Sequence, residues 1–154
     1  MIDNVKKYFK QFGMEDKVLV FDTSTATIEL AAQTIGCETR DIAKSLSFYN
    51  KEGGCIMVIT DGDKKISKKK YKATFGQKAK MLSFDDVPLL TGHEVGGVCP
   101  FAVGQDDKVY LDESLKSHDF VYPACGSHNS AIKLSIPELE KYADHFESWV
   151  DVTD

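Results

Sequence analysis

A lysine sits where an alternating stretch should turn inward. Across residues 42–48, Ile42, Leu46 and Phe48 share one face of an extended strand, and Lys44 falls on that same face. A buried ammonium group costs desolvation unless something pairs it. Lys44 therefore either reaches the rim of the sheet along its apolar stem or faces a cavity that receives an anion or a substrate.

The second feature is the run Gly92-His93-Glu94-Val95-Gly96-Gly97-Val98-Cys99-Pro100-Phe101. Three glycines within six residues permit positive φ and close approach of a ligand to the backbone. Successive N–H groups in such a loop can hold a carboxylate, a phosphate or an oxyanion. The same run also serves as a plain structural connection. No GK[ST] follows it and no GxGxxG is present, so it is neither a P-loop nor a dinucleotide fingerprint.

The third feature is Gly126-Ser127-His128-Asn129-Ser130. His128 is a candidate general base or hydrogen-bond donor, with Ser127 and Asn129 as polar neighbours. The alternative is a Ser/Asn-rich turn with no chemistry. Cys99 lies inside the glycine run, but no base is adjacent in sequence and nothing there lowers its pKa, which argues against a nucleophile. His93 can simply close the loop, and His118 and His145 read as surface residues. No His/Cys/Asp/Glu spacing suggests a metal.

The elements that must position these groups follow from periodicity. Val5, Tyr8, Phe9 and Phe12 mark a first helix capped by Asp3 and ended by Gly13. Residues 18–21 form a short strand. A second helix starts near Ser24 or Thr25, with Ile28, Ala32 and Ile35 as its stripe and Gly36 beyond its end. Residues 42–48 and 55–59 form a hairpin through NKEGG. A lysine-rich helix runs up to Gly76. Ser83-x-x-Asp86 caps a short helix in which Pro88 is awkward. The glycine loop runs into a strand, and further strands cover 109–111, 120–124 and 131–134. Ser135-Ile136-Pro137-Glu138 opens a last helix whose apolar face is Leu139, Tyr142 and Phe146. Hairpins mixed with helices make the fold class α+β (mixed α/β), with a curved mixed, partly barrel-like central sheet flanked by helices.

Composition sets the frame. The chain has 154 residues, 42% hydrophobic and 28% charged, which is ordinary for a globular protein and is read as a single domain over residues 1–154. No apolar run is long enough to span a membrane and no secretory leader is recognisable, so the cytoplasm is the expected compartment. Cys37, Cys55, Cys99 and Cys125 form no CxxC pair and are expected to be free thiols. Net charge is −5, yet Lys64, Lys65, Lys68, Lys69, Lys70, Lys72, Lys78 and Lys80 crowd one stretch that holds no acid, leaving −13 on the rest. That stretch is either a solvated surface or a patch for phosphates.

Three motifs together resemble the YbaK/ProX family, the prolyl-tRNA-synthetase-associated or INS-type editing domain. They are IAKSLSF with Lys44, TGHEVGGVCPFA, and GSHNSAIKLSIPEL, in the family's order and spacing and spanning residues 25–142. Residues 96–100 fit the family's G-x-x-x-P loop. The resemblance implies a freestanding deacylase that hydrolyses mischarged aminoacyl-tRNA in trans, with tRNA-Pro carrying Ala, Cys or another small amino acid as substrate. It implies no metal and no cofactor, and prolyl-tRNA synthetase as a possible partner. Lys44, Gly96, Gly97 and His128 are carried over as the catalytic candidates, His128 at a position where the family varies. Val98, Cys99, Pro100, Phe101, Phe48, Ser127 and Asn129 are the substrate-binding candidates, with Ile59 a further wall residue. Lys68, Lys69, Lys70 and Lys72 are the tRNA-binding candidates. A non-catalytic aminoacyl-RNA or nucleotide-binding module of the same fold, and a hydrolase of a small ester, remain open at this stage.

Overall fold

The computed structural model describes residues 1–154. It is a mixed α+β structure built on a six-stranded sheet. The strands are β2 (Ile42–Tyr49), β3 (Cys55–Asp61), β4 (Lys108–Asp112), β5 (Phe120–Pro123), β7 (Leu134–Ser135) and β8 (Phe146–Val150), in the order β7-β5-β2-β3-β4-β8. A second, two-stranded sheet joins β1 (Leu19–Val20) to β6 (Ser130–Ala131). The hairpin β2–β3 is antiparallel with Lys44 opposite Thr60, while β2–β5, β3–β4 and β4–β8 are parallel. All seven residues of β3 are buried, as expected for a central strand covered on both faces.

Five helices flank the sheet. On α1 (Ile2–Lys10), Val5 and Phe9 are fully buried, and Phe9 packs on Phe101 with ring centroids 4.7 Å apart. Asp3 lies in the first turn of α1 and does not cap it. The second helix, α2 (Ile28–Ile35), begins with its stripe at Ile28, later than the expected start near Ser24 or Thr25. Thr27 is the cap, accepting from the Leu30 amide, because Thr25 is held elsewhere by its bonds to the His128 carbonyl. The lysine-rich helix α3 (Lys68–Phe75) is capped by Ser67 and stopped by Gly76 at φ +70°. Its one buried residue, Tyr71, packs against Phe48 of β2 with ring centroids 4.7 Å apart, which turns the lysines outward. In α4 (Asp86–Thr91) Pro88 is tolerated because it occupies the first turn, where an amide would have no helical partner.

The carboxy-terminal region differs from expectation. The capping box of Ser135 and Glu138 opens α5 (Ile136–Tyr142), but the helix stops at Tyr142. His145 adopts φ +53° and redirects the chain, so Phe146 starts β8 instead of extending the helical face. The glycine loop does not run into a strand, and residues 131–134 split into the ends of β6 and β7. No helix is long and apolar enough to cross a membrane.

One local feature bears on function. β5 pairs with β2 only at Ile42 and Ala43. Farther along the same edge, the segment 80–82 pairs with β2 through Tyr49 N–H to the Lys80 carbonyl (2.9 Å) and Leu82 N–H to the Ser47 carbonyl (3.1 Å). Between them, residues 44–46 have no strand on that side. By the alternation of the ladder, Ser45 turns its N–H and C=O the same way as Ser47 and Tyr49, onto the open stretch.

Candidate functional site

A cleft of about 430 Å³ lies against this open edge, within the usual range for small-ligand sites. Lys44, Ser45 and Leu46 of β2 form one wall, α2 and the residues before it form another, and Gly96 and Val98 of the glycine loop close it. Ile28, Ile35, Ile42 and Tyr122 are among its apolar lining residues.

The Lys44 ammonium donates to the carbonyl of Lys64. Partial burial lowers its pKa, and Asp61 and Asp63 oppose that shift. The residue lines the cleft, while its ammonium is tied to a backbone carbonyl outside the cleft's lining. Asp61 belongs to a buried network that sequence inspection misses. His118, whose side chain is 1% exposed, places Nδ1 3.1 Å from Asp41 and Nε2 2.7 Å from Asp61. It is no surface residue. It ties the start of β2 to the end of β3 and to the approach to β5, the strands around Lys44.

The glycine loop and the GSHNS turn are one structure. Glu94 N–H donates to the Gly126 carbonyl, and Gly126 N–H donates to the Gly97 carbonyl at 2.8 Å. The Glu94 carboxylate accepts from the His128 amide (2.5 Å) and from its Nδ1 (2.6 Å). Burial alone would raise the Glu94 pKa, but these bonds outweigh it and hold the carboxyl below its ordinary value. A carboxylate only accepts, so the pairing keeps the proton on Nδ1 of His128 and leaves Nε2 as the free nitrogen.

The two glycines play different parts. Gly96 adopts φ +87°, and an added Cβ would stand 2.9 Å from the Ala26 side chain. Its amide, like that of Val98, makes no hydrogen bond within the protein. The Gly97 amide is committed to the Glu94 carbonyl at 2.9 Å, and a Cβ there would collide with the backbone of Ser127 at 2.4 Å. Gly97 is therefore required for packing one loop on the other, while Gly96 and Val98 retain open donors.

Of the substrate-binding candidates, only Val98 lines this cleft. Phe48 lies in a separate core with Tyr71, and Phe101 and Ile59 are fully buried in the main core. Pro100 is buried, with its carbonyl accepting from the Asp144 amide. Ser127 bonds to Asn129 and Ser130 at 2.9 Å each, and Asn129 donates to the Phe21 carbonyl, so these two brace the turn. Cys99 does have a base nearby after all: its Sγ is 3.5 Å from His93 Nε2. Both groups are fully buried. Desolvation pushes the thiol up to about 12 and the imidazole down to about 4, so the pair is neutral and inert.

Ser45 was not apparent as a site residue. Its hydroxyl is buried without a partner and the residue lines the cleft. The available signal was a polar residue on the second inward face of the strand, beside Ala43 and Ser47. Among the lysines, Lys70 is bound to Asp151 at 3.2 Å and to the Thr153 carbonyl, whereas Lys68, Lys69 and Lys72 make no ion pair. No group of three or more His, Cys, Asp or Glu side chains is placed to hold a metal ion.

Comparison with known proteins places the chain in a family. The model of the "Aminoacyl-tRNA editing domain" family matches residues 22–142. The chain belongs to this family. It is 48% identical over 98% of its length to the protein YwhH of Bacillus subtilis (strain 168), covering 96% of that protein. It is 26% identical over 70% of its length, and 66% of the relative's, to the protein of Enterococcus faecalis (strain ATCC 700802 / V583) named "Putative Cys-tRNA(Pro)/Cys-tRNA(Cys) deacylase EbsC". A solved structure described as "a putative trans-editing enzyme for prolyl tRNA synthetase" superposes with a TM-score of 0.87 at 26% identity, covering 99% of this chain and 96% of the other. An editing-domain role of the deacylase type thus accords with the fold, the cleft and the relatives.

Proposed function

We propose that the protein hydrolyses, in trans, the ester linking a mischarged small amino acid to the 3′ end of tRNA, with Ala or Cys on tRNA-Pro as the substrate. The observation that carries the reading is the meeting of Lys44, the open edge at Ser45 and the unbonded amides of Gly96 and Val98 around one cleft. The names of the two more distant relatives support the choice of tRNA-Pro and of a prolyl-tRNA synthetase partner.

The chemistry asks little of the protein. An ester needs less activation than an amide, so an oriented water suffices as nucleophile. Attack on the carbonyl carbon generates an oxyanion, which the Gly96 and Val98 amides stabilise. One such donor is worth roughly 3–4 kcal/mol in well-studied hydrolases. Lys44 holds the terminal ribose or its phosphate in place. His128, with Nδ1 fixed by Glu94, offers Nε2 to take a proton from the attacking water. Collapse of the tetrahedral intermediate breaks the bond to the ribose oxygen, which leaves with a proton as the free hydroxyl. The unpaired lysines of α3, Lys68, Lys69 and Lys72, contact acceptor-stem phosphates without reading sequence, and Lys70 contributes charge from its paired position.

The test is a deacylation panel of Ala-, Ser-, Thr- and Cys-charged tRNA-Pro with wild type and Lys44→Ala. Hydrolysis of one or two esters, reduced about 100-fold or more in the variant, is the expected result. No hydrolysis of any ester with tRNA binding retained overturns it and leaves a binding module.

A further inference from the structure

At the other end of β2 from Lys44, a second cleft of about 410 Å³ opens between the β2–β3 hairpin and the end of α3. Lys51, Lys72, Lys78 and Lys80 line it together with the amides Asn50 and Gln77, and no carboxylate does. None of the four ammonium groups is in an ion pair, in contrast to Lys70, Lys108 and Lys116. The frame that carries them is ordered. Gln77 accepts from the Lys51 amide at 3.2 Å, Lys80 is fixed by its carbonyl on Tyr49, and its ammonium lies 5.4 Å from the centre of the Tyr49 ring. Like charges held around a concavity repel one another, and an anion there removes that cost.

We infer that this cleft is a second anchoring point for RNA, receiving backbone phosphates of the strand whose 3′ end occupies the Lys44 cleft. The inference rests on the proposed function for the identity of that strand. Lys44 and Tyr49 are five strand residues apart, roughly 17 Å at about 3.4 Å per residue. A stacked nucleic-acid strand covers that distance in about five nucleotides. The cleft therefore lies within reach of a strand whose reactive end occupies the first site. An acidic protein surface is the other conceivable occupant. The concave shape and the side-chain amides among the lysines favour phosphates.

The experiment measures the dissociation constant of uncharged tRNA-Pro by fluorescence anisotropy over a salt series. It compares wild type, Lys78→Glu/Lys80→Glu, and the charge-matched control Lys7→Glu/Lys10→Glu on α1, with thermal melts to verify folding. The expected result is binding weakened at least about tenfold in the cleft variant only, with the log–log salt slope smaller by about 1.5. Unchanged affinity and slope, or an equal loss in the control, overturn the inference and point to an acidic protein partner or to net charge alone. Hydrolysis of a minimal 3′-aminoacyl-adenosine is read in parallel and should be the same in wild type and cleft variant. Failure of wild type to hydrolyse it or charged tRNA would sink the catalytic reading, while the binding result still decides the anchoring cleft.

Discussion

Two buried side chains show how environment overrides residue type. Cys99 and His93 have the identities of a nucleophile and its base at contact distance, yet both sit where water does not reach. Charging either one would cost more than their mutual attraction returns. Cys99→Ala should keep deacylation within about twofold while costing about 1–2 kcal/mol for the small cavity it leaves. Activity assays and denaturant titration separate the two effects. His93 has a further consequence for acid stability. Its folded pKa of about 4 lies below that of the unfolded chain, so the unfolded state binds the proton first as pH falls. The stability associated with a neutral His93 is fully present above about pH 6.5 and is lost progressively towards pH 4. The loss amounts to about 3 kcal/mol. In His93→Gln that part of the pH dependence should vanish, as read by chemical denaturation at pH 7 and pH 4.5.

Among the elements, the strands around the cleft are tied together by a residue that does not line it. His118 offers both ring nitrogens to carboxylates, one from each end of the hairpin. The ring thus bridges the two carboxyl groups through both of its nitrogens. His118→Asn cannot span both carboxyl groups and leaves the buried Asp61 short of a hydrogen-bond partner. It should lower stability by about 3 kcal/mol and weaken activity through misplacement of Lys44, visible as a fall in kcat larger than the rise in KM. This network was illegible in the sequence, because Asp41, Asp61 and His118 are far apart along the chain and each resembles a turn residue. Local signals fared better. The hairpin, the Ser135 capping box and the glycine stops after α2 and α3 are all set by neighbouring residues, and the structure has them. Strand β8 escaped notice because Leu139, Tyr142 and Phe146 continue a helical spacing that only the turn at His145 breaks. For the site, Lys44, Gly96 and Val98 do meet, since their motifs are chemically unusual. The remaining cleft wall comes from α2 and Ser45, whose roles arise from strand pairing that no short-range pattern encodes.

For the whole molecule, the gap in the sheet has a consequence for self-association. Unpaired strand edges invite pairing with another chain, and a protein that keeps one open must guard it. Here the opening spans residues 44–46 only, bounded by β5 on one side and by the segment 80–82 on the other. A small ligand fits such a slot, but an extended strand from a second copy does not. Removing the Leu82 amide with Leu82→Pro deletes its bond to Ser47 and would lengthen the exposed edge towards Tyr49, next to the apolar Met81 and Phe84 that already face solvent. That variant should scatter light and bind thioflavin on mild heating at concentrations where wild type stays clear. The short segment after α3 thus leaves only three residues of the β2 edge unpaired, a stretch shorter than an intermolecular strand needs.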